Sequence, residues 1–212
     1  MSARKGFLLV TMDPPPDVEE EFNDWYDTEH VPDRLAIEGF ESGRRFVCVS
    51  GWPRYLALYD LREIGVLESE PYRKLSWGSF SPWTKRILNK VKGQYRASGD
   101  QIYPGDALTC EMCRLTLIRF RHIPEAESEL VLKGVRANYE QRPETTQIRI
   151  LKSTYNDDND HLALVESRVP YVGMSIDVSA FGAVGKRIDI VNEYSPYWTR
   201  GALAGVFPAT PP

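Results

Sequence analysis

The hydrophobic pattern of the chain changes period repeatedly, and those changes divide it into short elements. Residues 7–12 (Phe-Leu-Leu-Val-Thr-Met) are apolar on both faces, as in a strand covered on both sides. After the stiff Asp13-Pro14-Pro15-Pro16-Asp17 connector, helical spacing begins at Val18, where Asp17 is placed to cap it. Pro32 lacks a backbone N–H and disfavours helical geometry before it, so the helix is expected to end or kink near His30. Residues 33–37 can add a turn before Gly39 stops it, residues 44–49 read as a strand, and Gly51-Trp52-Pro53 makes a turn. In the next strand, residues 54–60, Tyr55, Ala57 and Tyr59 share one face and Leu56 and Leu58 the other. The leucines suit packing against helices and the tyrosines suit a cavity. Helices over 68–75 and 81–88 follow, the second opened by Ser81 and Pro82, and residues 93–103 are extended.

That order, strand, helix, strand, strand, helix, strand, restarts after the turn cluster Pro104-Gly105-Asp106. Residues 115–120, 147–152, 161–167 and 188–193 read as strands, 124–139 as a helix, and 179–185 as a weak helix. Residues 155–160 form a polar turn between the middle strands. The pattern implies an α+β protein of two ferredoxin-like βαββαβ units, residues 1–104 and 105–212, whose sheets pack into one barrel within the chain. Two local echoes support a duplication: Arg54-Tyr55-Leu56-Ala57-Leu58 against Asp160-His161-Leu162-Ala163-Leu164, and Ser81-Pro82-Trp83-Thr84-Lys85 against Ser195-Pro196-Tyr197-Trp198-Thr199-Arg200. The second echo is out of step with the first. A small-molecule cavity is expected in or beside the barrel.

Composition narrows the function. With 26 basic and 30 acidic residues and a net charge of -4, the chain offers no basic surface for a phosphate backbone, which argues against nucleic-acid binding. The short apolar run after Arg4 and Lys5 reads as a strand rather than a signal peptide, and no long apolar run suits a membrane span, so a cytoplasmic protein is the expectation. Cys48, Cys110 and Cys113 fit a reducing compartment. The Cys110-Glu111-Met112-Cys113 spacing leads into a strand rather than a helix, against a redox or zinc site. There is no glycine-rich phosphate loop, no His-x-x-x-His pair and no nucleophile elbow. No metal ligand set is assigned, and His122 reads as an exposed loop residue.

The chemistry concentrates in Phe22-Asn23-Asp24-Trp25-Tyr26-Asp27-Thr28-Glu29-His30-Val31-Pro32. Helical spacing puts Val18, Phe22 and Trp25 on one stripe, with Tyr26 and His30 four apart on its flank and Asp27 three before the histidine. Helix carbonyls, Asp27 and Glu29 favour the imidazolium form of His30, whereas burial opposes it. The competing reading makes Trp25 and Tyr26 core aromatics and His30 a helix-end residue.

This segment, followed by Gly39-Phe40 and Arg44-Arg45-Phe46, resembles the EthD-like branch of the dimeric α+β barrel superfamily, and Ser81-Pro82-Trp83-Thr84 also looks like members of that group. The resemblance covers residues 6–103. The corresponding helix of the second half has neither histidine nor tryptophan, so one site per chain is expected. The resemblance implies a superfamily of cofactor-free monooxygenases, isomerases, polyketide cyclases, dehydratases and haem-binding enzymes, and fold analogy does not choose among them. The leading expectation is a lyase or isomerase, without a cofactor, acting on a hydrophobic aromatic or polyketide-like small molecule. His30 would move a proton, Asp27 or Glu29 would orient it, Tyr26 would hydrogen-bond an oxyanion, and Trp25, Phe22, Tyr55 and Tyr59 would hold the substrate. The alternatives are haem binding, with His30 or His161 as axial ligand, and a non-catalytic binding module. Either a pseudo-dimeric monomer or a homodimer fits the pattern.

Overall fold

β1 (Gly6–Asp13) is buried on both faces because it lies between two strands and between two layers: it pairs antiparallel with β3 (Tyr55–Leu61) on one side and β4 (Lys92–Tyr103) on the other. The computed structural model describes residues 4–76 and 78–197. β2 (Phe40–Ser50), β5 (Arg114–Phe120), β6 (Thr145–Ser153), β7 (His161–Ser167) and β8 (Ile188–Pro196) complete a closed antiparallel barrel in the order β1-β3-β2-β8-β5-β7-β6-β4. Two seams join the halves, β2 with β8 and β4 with β6. Closure leaves no strand edge unpaired. The tail of the second echo, Trp198 to Arg200, lies outside the described residues.

The barrel interior is solid. Phe7, Leu9, Phe46, Leu56, Leu58, Leu115, Leu117, Leu151, Leu162, Leu164 and Tyr194 fill it. This reverses the expected faces of β3. Leu56 and Leu58 point into the barrel, and Tyr55, Ala57 and Tyr59 lie under the outer helices with Phe22, Trp25 and Tyr26. Alternation separates the two sets of side chains but carries no information about which set meets which layer.

Both ends of the interior are closed by charge networks. At one end Arg149, fully buried, donates to Asp60, Glu166, Gln101 and Thr109, at 2.5, 3.4, 2.5 and 2.8 Å respectively. These residues come from both halves and from the connection between them. At the opposite end Asp160 accepts from Tyr95, Arg121 and the His122 backbone N–H.

The outer layer over the first half begins with a 3-10 turn, Pro16–Val18, and continues as α1 (Glu19–Trp25). Asp17 is not a cap: Pro16 starts the turn one residue earlier, which places Asp17 inside it. Nor does the helix stop at His30. A π-helical turn, Tyr26–His30, closes with the Val31 N–H donating to the carbonyl of Tyr26, and α2 (Val31–Leu35) carries on with Pro32 in its first turn. Pro32 has no N–H to donate, and it stands where the wider π turn already interrupts the α-helical hydrogen-bond repeat. α3 (Glu70–Arg73) and α4 (Pro82–Leu88) complete this layer, and the Ser81 hydroxyl caps α4 by accepting from the Thr84 N–H at 2.9 Å.

Over the second half, α5 (Ser128–Tyr139) packs against a 3-10 segment, Val178–Arg187, which stands where a weak helix was expected. Gly182 breaks that segment with a positive φ of 55°. Among the described residues no helix is long and apolar enough to cross a membrane.

Candidate active site

The π-helical turn sets the geometry of the motif. Such a turn adds about one residue to the α-helical repeat and brings residues four apart close to register, while those three apart swing away. His30 accordingly meets Tyr26 edge to face and Trp25 at a tilt, with ring centroids 5.1 and 4.2 Å away. Trp25 Nε1 donates to Glu29, four residues on, at 3.3 Å.

Asp27 faces elsewhere. Its carboxylate pairs with Arg45 of β2 at 2.7 Å and accepts from the Tyr197 hydroxyl at 3.0 Å. Burial pushes its carboxyl upward, with Arg45 and Tyr197 opposing. The Arg45 guanidinium also donates to Asn23 at 2.7 Å and lies over the rings of Tyr26 and Tyr197. Glu29 accepts from the hydroxyls of Ser81 and Thr84 at 2.5 and 3.1 Å, tying the motif helix to the start of α4. Both carboxylates expected to orient His30 are therefore engaged in fastening α1 to β2 and to α4. Arg45 and the Ser81 and Thr84 hydroxyls thus bind the histidine-bearing helix, whereas Arg44 pairs with Glu111.

His30 lines a cavity of about 410 Å³ between the outer face of the first sheet and the helices. Leu8, Val10 and Met12 of β1 form its floor, and Tyr59, Tyr72, Phe80 and Leu88 add apolar wall. Arg34, four residues after His30, lies beside it, and Arg96 of β4 and the 155–158 turn of the second half close the rim. Among the described residues no protein group hydrogen-bonds either His30 ring nitrogen. Burial, then the nearby guanidiniums of Arg34 and Arg45, hold the imidazole well below the ordinary histidine range, so it is neutral at pH 7. The acidic neighbours that would have raised it are bound away from the ring, Asp27 by Arg45 and Glu29 by the Ser81 and Thr84 hydroxyls.

The other candidates sit apart from the cavity. Phe22, Trp25, Tyr26 and Tyr55 are buried in the layer between helix and sheet. The Tyr26 phenol, pushed up to about 12 by burial against the opposing pull of Arg45 and Arg34, is not in the cavity wall. Tyr55 donates to Glu19 and accepts from Asn23. Tyr59 does form wall; its hydroxyl is buried with no hydrogen-bond partner among the described residues, and burial followed by the nearby Tyr26 phenol raises its pKa. Arg34, Tyr72 and Arg96 went unnoticed in the sequence, although Arg34 is one helical step past His30 and was legible from spacing across Pro32.

His161 opens β7 just after the polar 155–160 turn, yet it is not solvated. It is fully buried, its Nε2 lies 2.7 Å from the Ser128 hydroxyl, and its Nδ1 lies 3.3 Å from the Asn159 carbonyl. Burial lowers its pKa. Among the described residues no cluster of three or more histidine, cysteine or carboxylate side chains could hold a metal ion. The Cys110 thiol is pushed up to about 12 by burial and by Glu166, which makes it a poor nucleophile. A second cavity, about 340 Å³, lies in the second half beside Thr116, Tyr139, Tyr171 and Glu193, with no histidine or arginine among its described lining residues.

No protein-family model and no curated protein matches the sequence. Among solved structures the chain is similar to an anthrone oxidase-like protein, at 14% identity and a TM-score of 0.67, over 94% of this chain and 93% of the other. It is similar to a heme-binding protein from Thermus thermophilus, at 12% identity and a TM-score of 0.56 over 91% of each chain. It is also similar to chlorite dismutase from Candidatus Nitrospira defluvii, at 11% identity and a TM-score of 0.52, over 92% of this chain and 93% of the other. At such identities the likeness is one of fold. Eight antiparallel strands closed into a barrel, with helices outside, give this chain the dimeric α+β barrel fold in a single polypeptide.

Proposed function

We propose that the protein is an enzyme of the EthD-like kind that moves a proton on a hydrophobic, aromatic or polyketide-like ketone, as an isomerase or lyase, with His30 as the base and no cofactor in the step. The observation that carries this reading is a neutral imidazole in an apolar cavity wall with, among the described residues, no protein group on either ring nitrogen. Such a ring can accept a proton at pH 7 without first losing one. The C–H bond next to a carbonyl breaks, its electron pair moves into the enolate, and the proton rests on His30. The same proton then returns to a different carbon, giving isomerisation, or leaves with a β-hydroxyl as water. The negative charge formed on the oxygen lies in a cavity bordered by Arg34 and Arg96, a favourable setting for an enolate. Similarity to a protein described as anthrone oxidase-like adds support for a polycyclic aromatic ketone as substrate.

Anthrone is a suitable probe because its methylene is flanked by two rings and is acidified by the distant carbonyl. Under nitrogen in D₂O, the protein should accelerate deuterium exchange at that methylene, followed by NMR. His30→Gln should lose about 10²-fold or more of the acceleration, the usual scale for a general base. Exchange at the buffer rate with wild-type protein, or undiminished exchange with His30→Gln, refutes the reading.

The residues do not fit a haem. Ser128 and the Asn159 carbonyl occupy both nitrogens of His161. A metal-ligating imidazole normally donates its other N–H to a carboxylate or carbonyl, and His30 has no such partner among the described residues, since Asp27 and Glu29 are engaged elsewhere.

A further inference from the structure

We infer that the ligand of the His30 cavity carries an anionic group, such as a carboxylate or an ionised phenol attached to an aromatic ring system, and that Arg34 is the residue that binds it. The inference rests on the reading of this cavity as the substrate site and adds the chemical class of what enters.

Arg34 is only 5% exposed, yet among the described residues no carboxylate forms an ion pair with it. Its Nη2 donates to the carbonyl of Leu75 at 3.0 Å, and its guanidinium lies 5.5 Å from the centre of the Tyr72 ring. One neutral carbonyl and one ring face are little for a buried cation. Charged groups that proteins bury are otherwise paired, because an unpaired charge loses its hydration with nothing to replace it. The comparison inside this molecule is direct: Arg45 and Arg149, equally buried, have Asp27 for the one and Asp60 and Glu166 for the other. Arg34 differs in bordering the cavity, and its remaining N–H groups are not among the buried polar atoms left without a partner. An anion in the cavity would complete the pairing.

The lining charges point the same way. Arg34, Arg96 and Arg121 border the cavity against one carboxylate among the described lining residues, Asp158, in the turn at the rim. Arg121 is committed to Asp160, and Arg96 to Tyr72 and the Tyr155 ring. Planar guanidinium N–H groups suit a carboxylate or phenolate, and Leu8, Val10, Leu88 and Phe80 suit the ring system attached to it.

The test is calorimetric titration with a matched pair of probes, 2-naphthoate and 2-naphthamide, which share shape and differ in charge. Wild-type protein should bind the naphthoate at least about 10-fold more tightly than the amide, and the preference should shrink as salt is raised. In Arg34→Gln the ratio should fall to about one, with Arg34→Lys restoring part of it. A wild-type protein that binds the amide as well as the acid overturns the inference without recourse to any variant, so a misfolded Arg34→Gln leaves the test intact. A folded Arg34→Gln that keeps the full preference also overturns it. His30→Gln separates this inference from the catalytic reading, because it should keep the naphthoate preference while losing exchange activity. Preference without His30-dependent exchange sinks the proton-transfer reading alone. Exchange without preference sinks the anion site alone.

Discussion

Replacing Arg149 with methionine should expose how much the barrel depends on the charge network at its closed end. The guanidinium is fully buried, with fully buried Asp60 and Glu166 beside it, so the cluster holds one positive charge against two negative ones. Burial works to raise the Asp60 carboxyl, but Arg149, Ser42 and Thr109 overcome it and hold it below the usual carboxylate range. Methionine matches the stem of the arginine while removing its donors, leaving two carboxylates buried without a cation. Breaking a buried ion pair from one side costs roughly 3 to 5 kcal/mol, a large part of the roughly 5 to 15 kcal/mol that holds a typical domain folded. The cost should depend on pH in a definite sense. In wild type Asp60 titrates below its unfolded value, so its contribution is complete at neutral pH and is lost only below about pH 4. In the variant Asp60 loses the guanidinium that held it low and burial raises it above its unfolded value, so stability falls as pH rises above about 4, by up to about 1.4 kcal/mol per pH unit. Urea unfolding at pH 5 and pH 7 therefore reads a larger penalty at pH 7. Adding Asp60→Asn and Glu166→Gln to the variant should recover more than half of the loss. A penalty below about 1 kcal/mol, or one equal at both pH values, would refute the account of this network as a compensated charge cluster.

Other outcomes follow from the same packing. His30 and His161 are both buried with lowered pKa values, so their share of the stability is complete above about pH 6.5 and is lost as pH falls below it, at up to about 1.4 kcal/mol per pH unit for each group. Stability measured by urea unfolding from pH 8 to pH 5 should drop over that range, and His161→Gln should remove about half of the slope. Gly134→Ala, ordinarily favourable in a helix, should destabilise by about 1 to 3 kcal/mol, because the new Cβ would lie 2.2 Å from the Phe181 ring. A thermal melt at or above the wild-type midpoint would show that α5 can move off the 178–187 segment.

What the amino-acid order determines by itself is set by contacts two to four residues apart. The strand and helix order follows from side-chain period, the opening of α4 from Ser81 and Pro82, and the turn at Gly39 from its freedom at positive φ, here 98°. His30 stands out in the sequence because aromatic and acidic residues crowd around it. Where the local argument stops is equally specific. Proline at 32 reads as a helix end or kink near His30, and docking against β2 and α4, through Asp27 with Arg45 and Glu29 with Ser81 and Thr84, accompanies a π turn from which the helix continues past it. Alternation divides β3 into tyrosines and leucines, but barrel closure decides that the leucines go inward. The acidic neighbours of His30 argue for a raised pKa in one dimension. In three dimensions both are claimed by distant partners, and burial with two arginines lowers it instead. The cavity is likewise nonlocal, because its floor is β1, its rim is the 155–158 turn, and Arg34 beside it has no carboxylate partner among the described residues. Sequence spacing reports which side chains share a face, whereas pairing and desolvation depend on residues far apart along the chain.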